Sequence, residues 1–399
     1  MPTKPMPQKE FIALLAMLFA IVSFSIDGML PALPQIAREL TPDDVNRAQL
    51  IITSFVLGMG IGTLFAGPIS DTIGRRPAIF GGVAIYILGS ILASLTHSLD
   101  LLLAARLLQG LGAAGPRIVT LAMVRDLYSG RNMARIVSFA MMIFTLVPAI
   151  APSIGALIIA GFGWRGIFGA VIVFALIASG WLTLRQPETL LPEKRRPLQF
   201  SPLLAAFREV MTHRLVVTSI AVQTLVYGAL FGTLSSTQQI FDITFHRAES
   251  FPIWFAAIAL MAGCANLLNA SLVMRLGMRV LITAALAMQV VISGVMAVMT
   301  VAGLWPDWLY FPAYIFWTTS VFFTAGLTLG NLNALALEPL GHIAGMAASV
   351  NGCIATVLAV AIAAPIGLAF NGTPVPIMGS IATLCLAGWV LMRSIPRQT

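Results

Sequence analysis

Twelve stretches of this chain, at 11–33, 48–69, 78–96, 101–124, 134–160, 164–184, 214–237, 251–273, 280–304, 308–334, 343–370 and 375–392, are each apolar and long enough to cross a bilayer. A spanning helix needs ~20 predominantly apolar residues, because the hydrocarbon core is ~30 Å thick. Lipid offers no partner for backbone N–H and C=O groups, so only helices and closed barrels cross it. The alternating apolar and polar strands of a barrel are absent, which leaves helices. Hydrophobic residues make up 58% of the chain and charged residues 10%, against about 25% charged in soluble domains. A soluble core of this size could not hide so much apolar surface. The expected fold is an all-α polytopic membrane protein with twelve transmembrane helices. Lys4 and Lys9 precede the first run, as in a signal peptide, but the run is too long for one and further spans follow directly.

The net charge of +8 raises the question of nucleic acid, and its distribution answers it. If the N-terminus is cytoplasmic, the inner ends and loops carry Lys4, Lys9, Arg75, Arg76, Arg125, Arg131, Arg135, Arg185, Lys194, Arg195, Arg196, Arg208, Arg214, Arg275, Arg279, Arg393 and Arg397. The outer side keeps Arg38, Arg47, Arg165 and Arg247. This positive-inside bias predicts that both termini are cytoplasmic, and it makes the charge a topology signal. The cysteines, Cys264, Cys353 and Cys385, all lie within spans and far apart in sequence. They imply neither a disulfide framework nor a metal site.

The longest polar interval, 186–212, holds Pro187, Pro192, Pro197 and Pro202 and the basic run Lys194–Arg196, and divides the spans six and six. The expected organisation is an N-terminal six-helix bundle (1–185), a cytoplasmic linker (186–212) and a C-terminal six-helix bundle (213–399). The halves echo each other. SDTIGRRPAI follows the second span and VMRLGMRVLI the eighth, while APSIG in the fifth span answers AAPIG in the eleventh. The two offsets, about 203 and 212 residues, nearly agree, as a duplicated unit requires. Two six-helix repeats related by an axis along the membrane normal resemble the major facilitator transporters, whose substrate sites lie near the midplane between the halves.

The loop GPISDTIGRRP at 67–77 is the most specific local signal. It resembles the major facilitator signature between helices 2 and 3, matching at Gly67, Asp71, Gly74, Arg75 and Arg76. Gly74 permits a tight turn, and Asp71 can cap a helix or pair with a cation. A solvated basic turn that only fixes topology is the alternative. An acid adds nothing to positive-inside bias, however, which favours a conformational latch. Its expected partners are Arg125 and Asp126 at the end of the fourth span and the start of the eleventh. Met274 stands where Asp71 aligns in the second half, so the latch is expected to be one-sided.

The first span holds one acid, Asp27, and the fourth holds Arg106 within LDLLLAARLLQGLGAAGPR at 99–117. That stretch resembles the family's helix 4 pattern at Arg106, Gln109, Gly110, Gly112, Ala113 and Ala114. An arginine inside a span costs ~2.5–3.5 kcal/mol on insertion scales, unless it snorkels to the interface. At 1.5 Å per residue, Asp27 and Arg106 each lie ~10 Å below the outer surface. An acid and a base at one depth in one bundle are expected partners. Arg117 lies deeper, and reaching the inner interface or touching substrate are both open to it.

FTLVPAIAPSIGALI at 144–158 resembles the antiporter signature of helix 5 through Pro152 and Gly155, with Pro148 additional and Ala151 and Ala156 replacing two glycines. Proline bends a helix and small residues allow close approach, so ordinary packing explains the residues equally well. GWRGIF (163–168), RQPETL (185–190), IDGMLPALP (26–34) and VRDLY (124–128) complete a resemblance to the Bcr/CflA-type drug-resistance exporters of bacteria, which covers nearly the whole chain. It implies a secondary active drug:proton antiporter of the bacterial inner membrane, with Asp27 as the helix 1 acid. The proton is then the coupling ion and no other cofactor is implied. The expected partners are lipophilic drug-like molecules and the bilayer, not nucleic acid, and the expected state is a monomer.

The second half has no acid at mid-membrane. Its tenth span offers a stripe at 3–4 spacing, in which Tyr314, Trp317 and Thr324 either line a cavity with Gln109 and Arg117 or pack against a neighbour. No G-x-x-x-x-G-K-[ST] loop and no H-E-x-x-H occur, so neither ATP hydrolysis by that route nor a zinc protease is indicated, and no metal site is expected. A transporter of one metabolite, an amino acid or a sugar, is the nearer rival. A non-transporting membrane receptor is the more distant one.

Overall fold

The structure is a computed structural model that describes residues 6–198 and 200–395, without the side chains of 134, 143–145 and 200. Lys4 and Arg397 of the charge pattern lie outside the described residues. Fourteen α-helices run in chain order among them: α1 (Gln8–Asp27), α2 (Leu33–Leu40), α3 (Leu50–Ile73), α4 (Arg75–Leu95), α5 (Leu99–Leu127), α6 (Gly130–Phe162), α7 (Arg165–Arg185), α8 (Phe200–Thr212), α9 (Arg214–Gln239), α10 (Phe251–Leu276), α11 (Met278–Val301), α12 (Asp307–Leu337), α13 (Ala344–Leu368) and α14 (Val375–Arg393). All but α2 and α8 are long and apolar enough to cross a membrane. The stretch from Asp307 to Leu368 contains two crossing helices, α12 and α13, joined by a short 3-10 turn. The twelve expected spans are therefore present. Large apolar side chains such as Leu157, Leu267 and Trp308 are three-quarters or more exposed, a surface that suits lipid and not water.

Two expected spans differ in outline. The fifth begins at Gly130, four residues earlier than its hydropathy suggests, because α6 carries Arg131 and Arg135 on its first turns. The first is not continuous. α1 ends at Asp27, a 3-10 turn covers Leu30–Ala32, and α2 resumes at Leu33. The physical reason is Pro31 and Pro34. Neither has an N–H to give to the carbonyl four residues back, and the Pro31 ring would collide with that carbonyl in a continuous helix. Met29 N instead donates to Ile26 O at 3.3 Å.

Gly74 and Gly277 end the second helix of each half at φ +109° and +81°. Left-handed backbone of this kind favours glycine, so the weak sequence echo corresponds to a shared turn. The chain forms two compact units. The first comprises 1–40 and 54–203, and the second comprises 41–53 and 204–399. Residues 41–53 thus join the second unit. Asn46 donates there to the carbonyls of Leu368 (3.1 Å) and Phe370 (2.8 Å) and accepts from Gln239 Nε2 at 2.6 Å. Gln49 accepts from Ser236 Oγ at 2.7 Å and donates to Gln239. The linker interval, expected as a polar connection, contains α8.

Candidate functional site

The break in α1 leaves Asp27 at a helix end while keeping it 6% exposed. Its carboxylate makes no hydrogen bond or ion pair among the described residues. Termination of α1 also leaves carbonyls without their usual helical donors. Arg106 supplies one: its Nη2 donates to Ser25 O at 3.0 Å. A cation at a helix C-terminus is favoured by the helix dipole as well.

The expected Asp27–Arg106 ion pair is therefore not the arrangement found. Arg106 is fully buried on α5, where Nη1 donates to Gln109 Oε1 and the guanidinium lies 4.4 Å from the centre of the Phe55 ring. Gln109 Nε2 donates to Ser90 Oγ at 2.7 Å, and Ser25 Oγ shares a hydrogen bond with Tyr86 Oη. This chain of polar groups from α4 and α5 grips the last turn of α1, two residues before Asp27. Snorkelling is excluded by the burial of Arg106. Arg117 is half-buried, with Nη1 3.3 Å from the Met59 sulfur.

α6 closes the other side of the break. A Cβ on Gly155 would stand 2.2 Å from the Gly28 carbonyl oxygen. Real side chains do not approach that closely, so only glycine permits this contact. Pro148 and Pro152 lie inside α6, which stays helical through both. Gly155 of the fifth span thus meets the chain immediately after Asp27.

The 67–77 loop is not a solvated turn. Arg75 and Arg76 are 7% and 8% exposed. Arg75 donates to Asp126 Oδ2 from Nε at 2.9 Å, to Ser70 Oγ at 2.8 Å and to Asp71 Oδ1. Arg76 Nη2 donates to Thr183 O at 3.0 Å, and Gly67 O accepts from Ser70 Oγ at 2.8 Å. Asp71 and Asp126 thus share Arg75, while Arg125 is exposed and outside this cluster.

Glu188 completes the cluster. Its Oε1 accepts from the backbone N–H groups of Arg75 (2.9 Å), Thr189 (2.9 Å) and Leu190 (3.0 Å), and its Oε2 from Arg76 N at 3.0 Å. It caps the N-terminus of α4, where the orphan donors and the dipole favour a carboxylate. Thr189 Oγ1 adds a bond to Asp126 Oδ2 at 2.9 Å. The motif RQPETL alone assigns no role to Glu188 or Thr189; the fold gives both one. At the opposite end of this unit, Glu39 accepts from Trp164 Nε1 and Arg165 Nη1, both at 2.7 Å, which explains GWR in the same way.

In the second unit, Tyr314 and Trp317 are fully buried on α12. Trp317 Nε1 donates to Ser293 Oγ on α11 at 2.9 Å, and Thr324 Oγ1 donates to Gln289 Oε1 at 3.1 Å. Tyr314 sits in an aromatic cluster with Phe241, Phe245 and Trp317, and its hydroxyl has no hydrogen-bond partner among the described residues. Of the stripe, Trp317 and Thr324 are spoken for by α11.

A family model described as Major Facilitator Superfamily matches residues 14–365. A bicyclomycin resistance protein homolog of Haemophilus influenzae is 29% identical over 353 residues, covering 86% of this chain and 85% of that protein. The multidrug resistance protein MdtL of Salmonella heidelberg is 32% identical over 219 residues, 54% of each. A chloramphenicol resistance protein of Pseudomonas aeruginosa is 34% identical over 194 residues, covering 48% of this chain and 46% of that protein. Among solved structures, the xylose transporter XylE from E. coli, in a partially occluded inward open conformation, superposes with a TM-score of 0.75. It is 10% identical over 98% of each chain, so the likeness is one of fold.

Proposed function

Because this chain belongs to the Major Facilitator Superfamily, we propose that it is a drug:proton antiporter that exports lipophilic small molecules by alternating access. It is a multi-pass bacterial inner-membrane protein and a transporter, not an enzyme, with drug-resistance proteins among its relatives. The single observation that carries the finer reading is Asp27: a buried carboxylate without a hydrogen-bonding or ionic partner among the described residues, at a break in a membrane helix. An ionisable group inside a span is costly and is by default a functional one.

In the proposed cycle, water on the outer side gives Asp27 a proton, forming the neutral carboxylic acid. The neutral form holds a cationic or polar substrate group less tightly, and the substrate leaves outward. The protein then turns inward and the proton passes to cytoplasmic water. The carboxylate that remains binds the next substrate. Arg106, fixed two residues away on Ser25 O, anchors the helix end that carries the carboxylate while leaving the carboxylate unpaired. Both termini are taken as cytoplasmic from the basic residues of the inner loops. The six-helix bundles 1–185 and 213–399, joined by 186–212, are taken as the moving parts, with the Arg75 cluster as a latch. With a neutral substrate, the one charge that crosses 100 mV per cycle supplies ~2.3 kcal/mol. At ~1.4 kcal/mol per tenfold gradient, that sustains roughly fifty-fold accumulation.

The test is Asp27→Asn, which is nearly isosteric and cannot ionise. Inverted vesicles bearing it are expected to lose substrate uptake driven by an imposed pH gradient, while the variant reaches the membrane in normal amount. Proton-driven uptake that survives the substitution overturns the reading. A survival screen against many antibiotics, with and without an uncoupler, tests the breadth of substrates.

A further inference from the structure

A cleft of about 300 Å³ opens in the second unit between α8, α9, α13 and α14. Its walls include Met211, Val217, Ala221, Ile354, Leu358 and Leu391, and Thr224 is the one polar lining residue among the described residues. Met211 and Leu358 at its edge are 46% and 51% exposed, so the cleft is open to the surroundings. Its α9 wall includes Val217, Ala221 and Leu225, which follow Arg214, the first residue of α9, along one face of the helix. From Arg214 to Leu225 the rise is ~16 Å at 1.5 Å per residue. Half the hydrocarbon thickness of a bilayer is ~15 Å. Arg214 and the cleft beyond it together therefore span one leaflet, and the walls of the cleft suit hydrocarbon.

The end of the cleft beside the chain linker is basic. Arg214 Nη2 donates to Ser394 O at 3.1 Å, which holds its guanidinium at the end of α14 and leaves further donors for a ligand. Arg208 lies one turn before Met211 on α8 and is exposed. The acid next to it, Glu209, is bound by His342 Nε2 at 2.8 Å. α8 also exposes Leu204, Phe207 and Met211, spaced three and four residues apart on one face, by 52%, 43% and 46%. A short amphipathic helix of this kind lies in the membrane interface. The phosphate layer of the leaflet is then at the level of Arg208 and Arg214.

We propose that this cleft is a binding site for one anionic phospholipid, with an acyl chain along Val217, Ala221 and Leu225 and its phosphate head at Arg208 and Arg214. Basic pockets between transmembrane helices at such a level recognise anionic head groups. The apolar walls supply affinity for any lipid tail. The two arginines supply the preference for a net negative head over a zwitterionic one. A drug-sized ligand would need several convergent polar groups for orientation, and this cleft offers Thr224 alone.

The test uses the full chain in detergent, with phosphatidylglycerol and phosphatidylcholine of identical acyl chains, and counts bound lipid by native mass spectrometry. Phosphatidylglycerol is expected to bind roughly thirty-fold more tightly, from ~1 kcal/mol per surface basic residue at 1.4 kcal/mol per tenfold. The double variant Arg208→Ala/Arg214→Ala should bind both lipids alike. Ala221→Phe, which fills the cleft, should weaken both at least tenfold. If Ala221→Phe fails to fold, the arginine variant, altered only at exposed positions, still decides. Equal binding of the two lipids to the unaltered chain overturns the proposal, as does a preference that persists without the two arginines.

Discussion

Gly155 on α6 meets the Gly28 carbonyl so closely that a methyl group added to Gly155 would stand 2.2 Å from the oxygen. The contact lies one residue past Asp27, where α1 is broken. Gly155→Ala must therefore move α6 or the break itself. Overpacking of this kind typically costs about 1–3 kcal/mol. Thermal unfolding should show that loss, and efflux should fall at least tenfold. Gly161→Ala is the control on the same helix. Its added Cβ meets nothing within 4 Å, and alanine is the better helix former by ~1 kcal/mol. Its stability should hold or rise, with efflux unchanged. Equal behaviour of the two variants would show that the close approach does not matter.

Arg106 fixes the end of α1 through Ser25 O and Gln109. Arg106→Ala leaves two buried acceptors without this donor, at about 1–3 kcal/mol each. Arg106→Lys keeps the charge but loses the planar fork that serves both acceptors at once. Melting temperature should fall in the order parent, Lys, Ala. The pH dependence of substrate binding should shift in the alanine variant, because the helix end that carries Asp27 loses its anchor at Ser25 O. An unshifted profile would reduce Arg106 to a structural clamp.

The spans and their number were legible in the sequence because lipid demands long apolar runs and tolerates few charges inside them. The shared level of Asp27 and Arg106 was legible too, since Arg106 reaches Ser25 O, two residues before Asp27. The partner of Arg106 was not. Its acceptor is a backbone carbonyl, freed by a helix break that Gly28, Pro31 and Pro34 create, and hydropathy reads straight across that break. The Arg75 turn carried a recognisable motif, but its burial depends on Glu188, more than a hundred residues downstream. No spacing rule links a carboxylate to a helix start at that distance. The 3–4 stripe on α12 correctly grouped Trp317 with Thr324. Periodicity identifies a shared face without saying which neighbour it meets, and that neighbour is α11.

Trp317 and Thr324 give a prediction that separates packing from substrate contact. Trp317→Phe removes the donor to Ser293, and Thr324→Val removes the donor to Gln289 with little change in volume. Each should lower stability by about 1 kcal/mol and leave substrate affinity within twofold, measured by ligand titration on the purified protein. A large affinity loss with unchanged melting would assign these side chains to the substrate instead.

Glu188 accepts four backbone N–H groups, two of them at the start of α4. Removing an N-terminal cap typically costs ~1 kcal/mol, and losing a carboxylate at a helix N-terminus costs a further 0.3–1 kcal/mol. Glu188→Ala should therefore destabilise the protein by about 1–2 kcal/mol, and Glu188→Gln by less, since its amide retains one acceptor oxygen. The kinetic consequence follows from position. Glu188 holds the backbone of Arg75, whose side chain joins Asp71 to Asp126. If that cluster is the latch, Glu188→Gln and Asp71→Asn should both slow turnover several-fold with substrate affinity nearly unchanged. Their combined effect should fall short of the sum of the single effects, because both act through Arg75. Additive effects in single-turnover efflux would mean that Glu188 caps α4 without touching the latch. A large affinity loss in either single variant would instead assign the cluster to substrate binding.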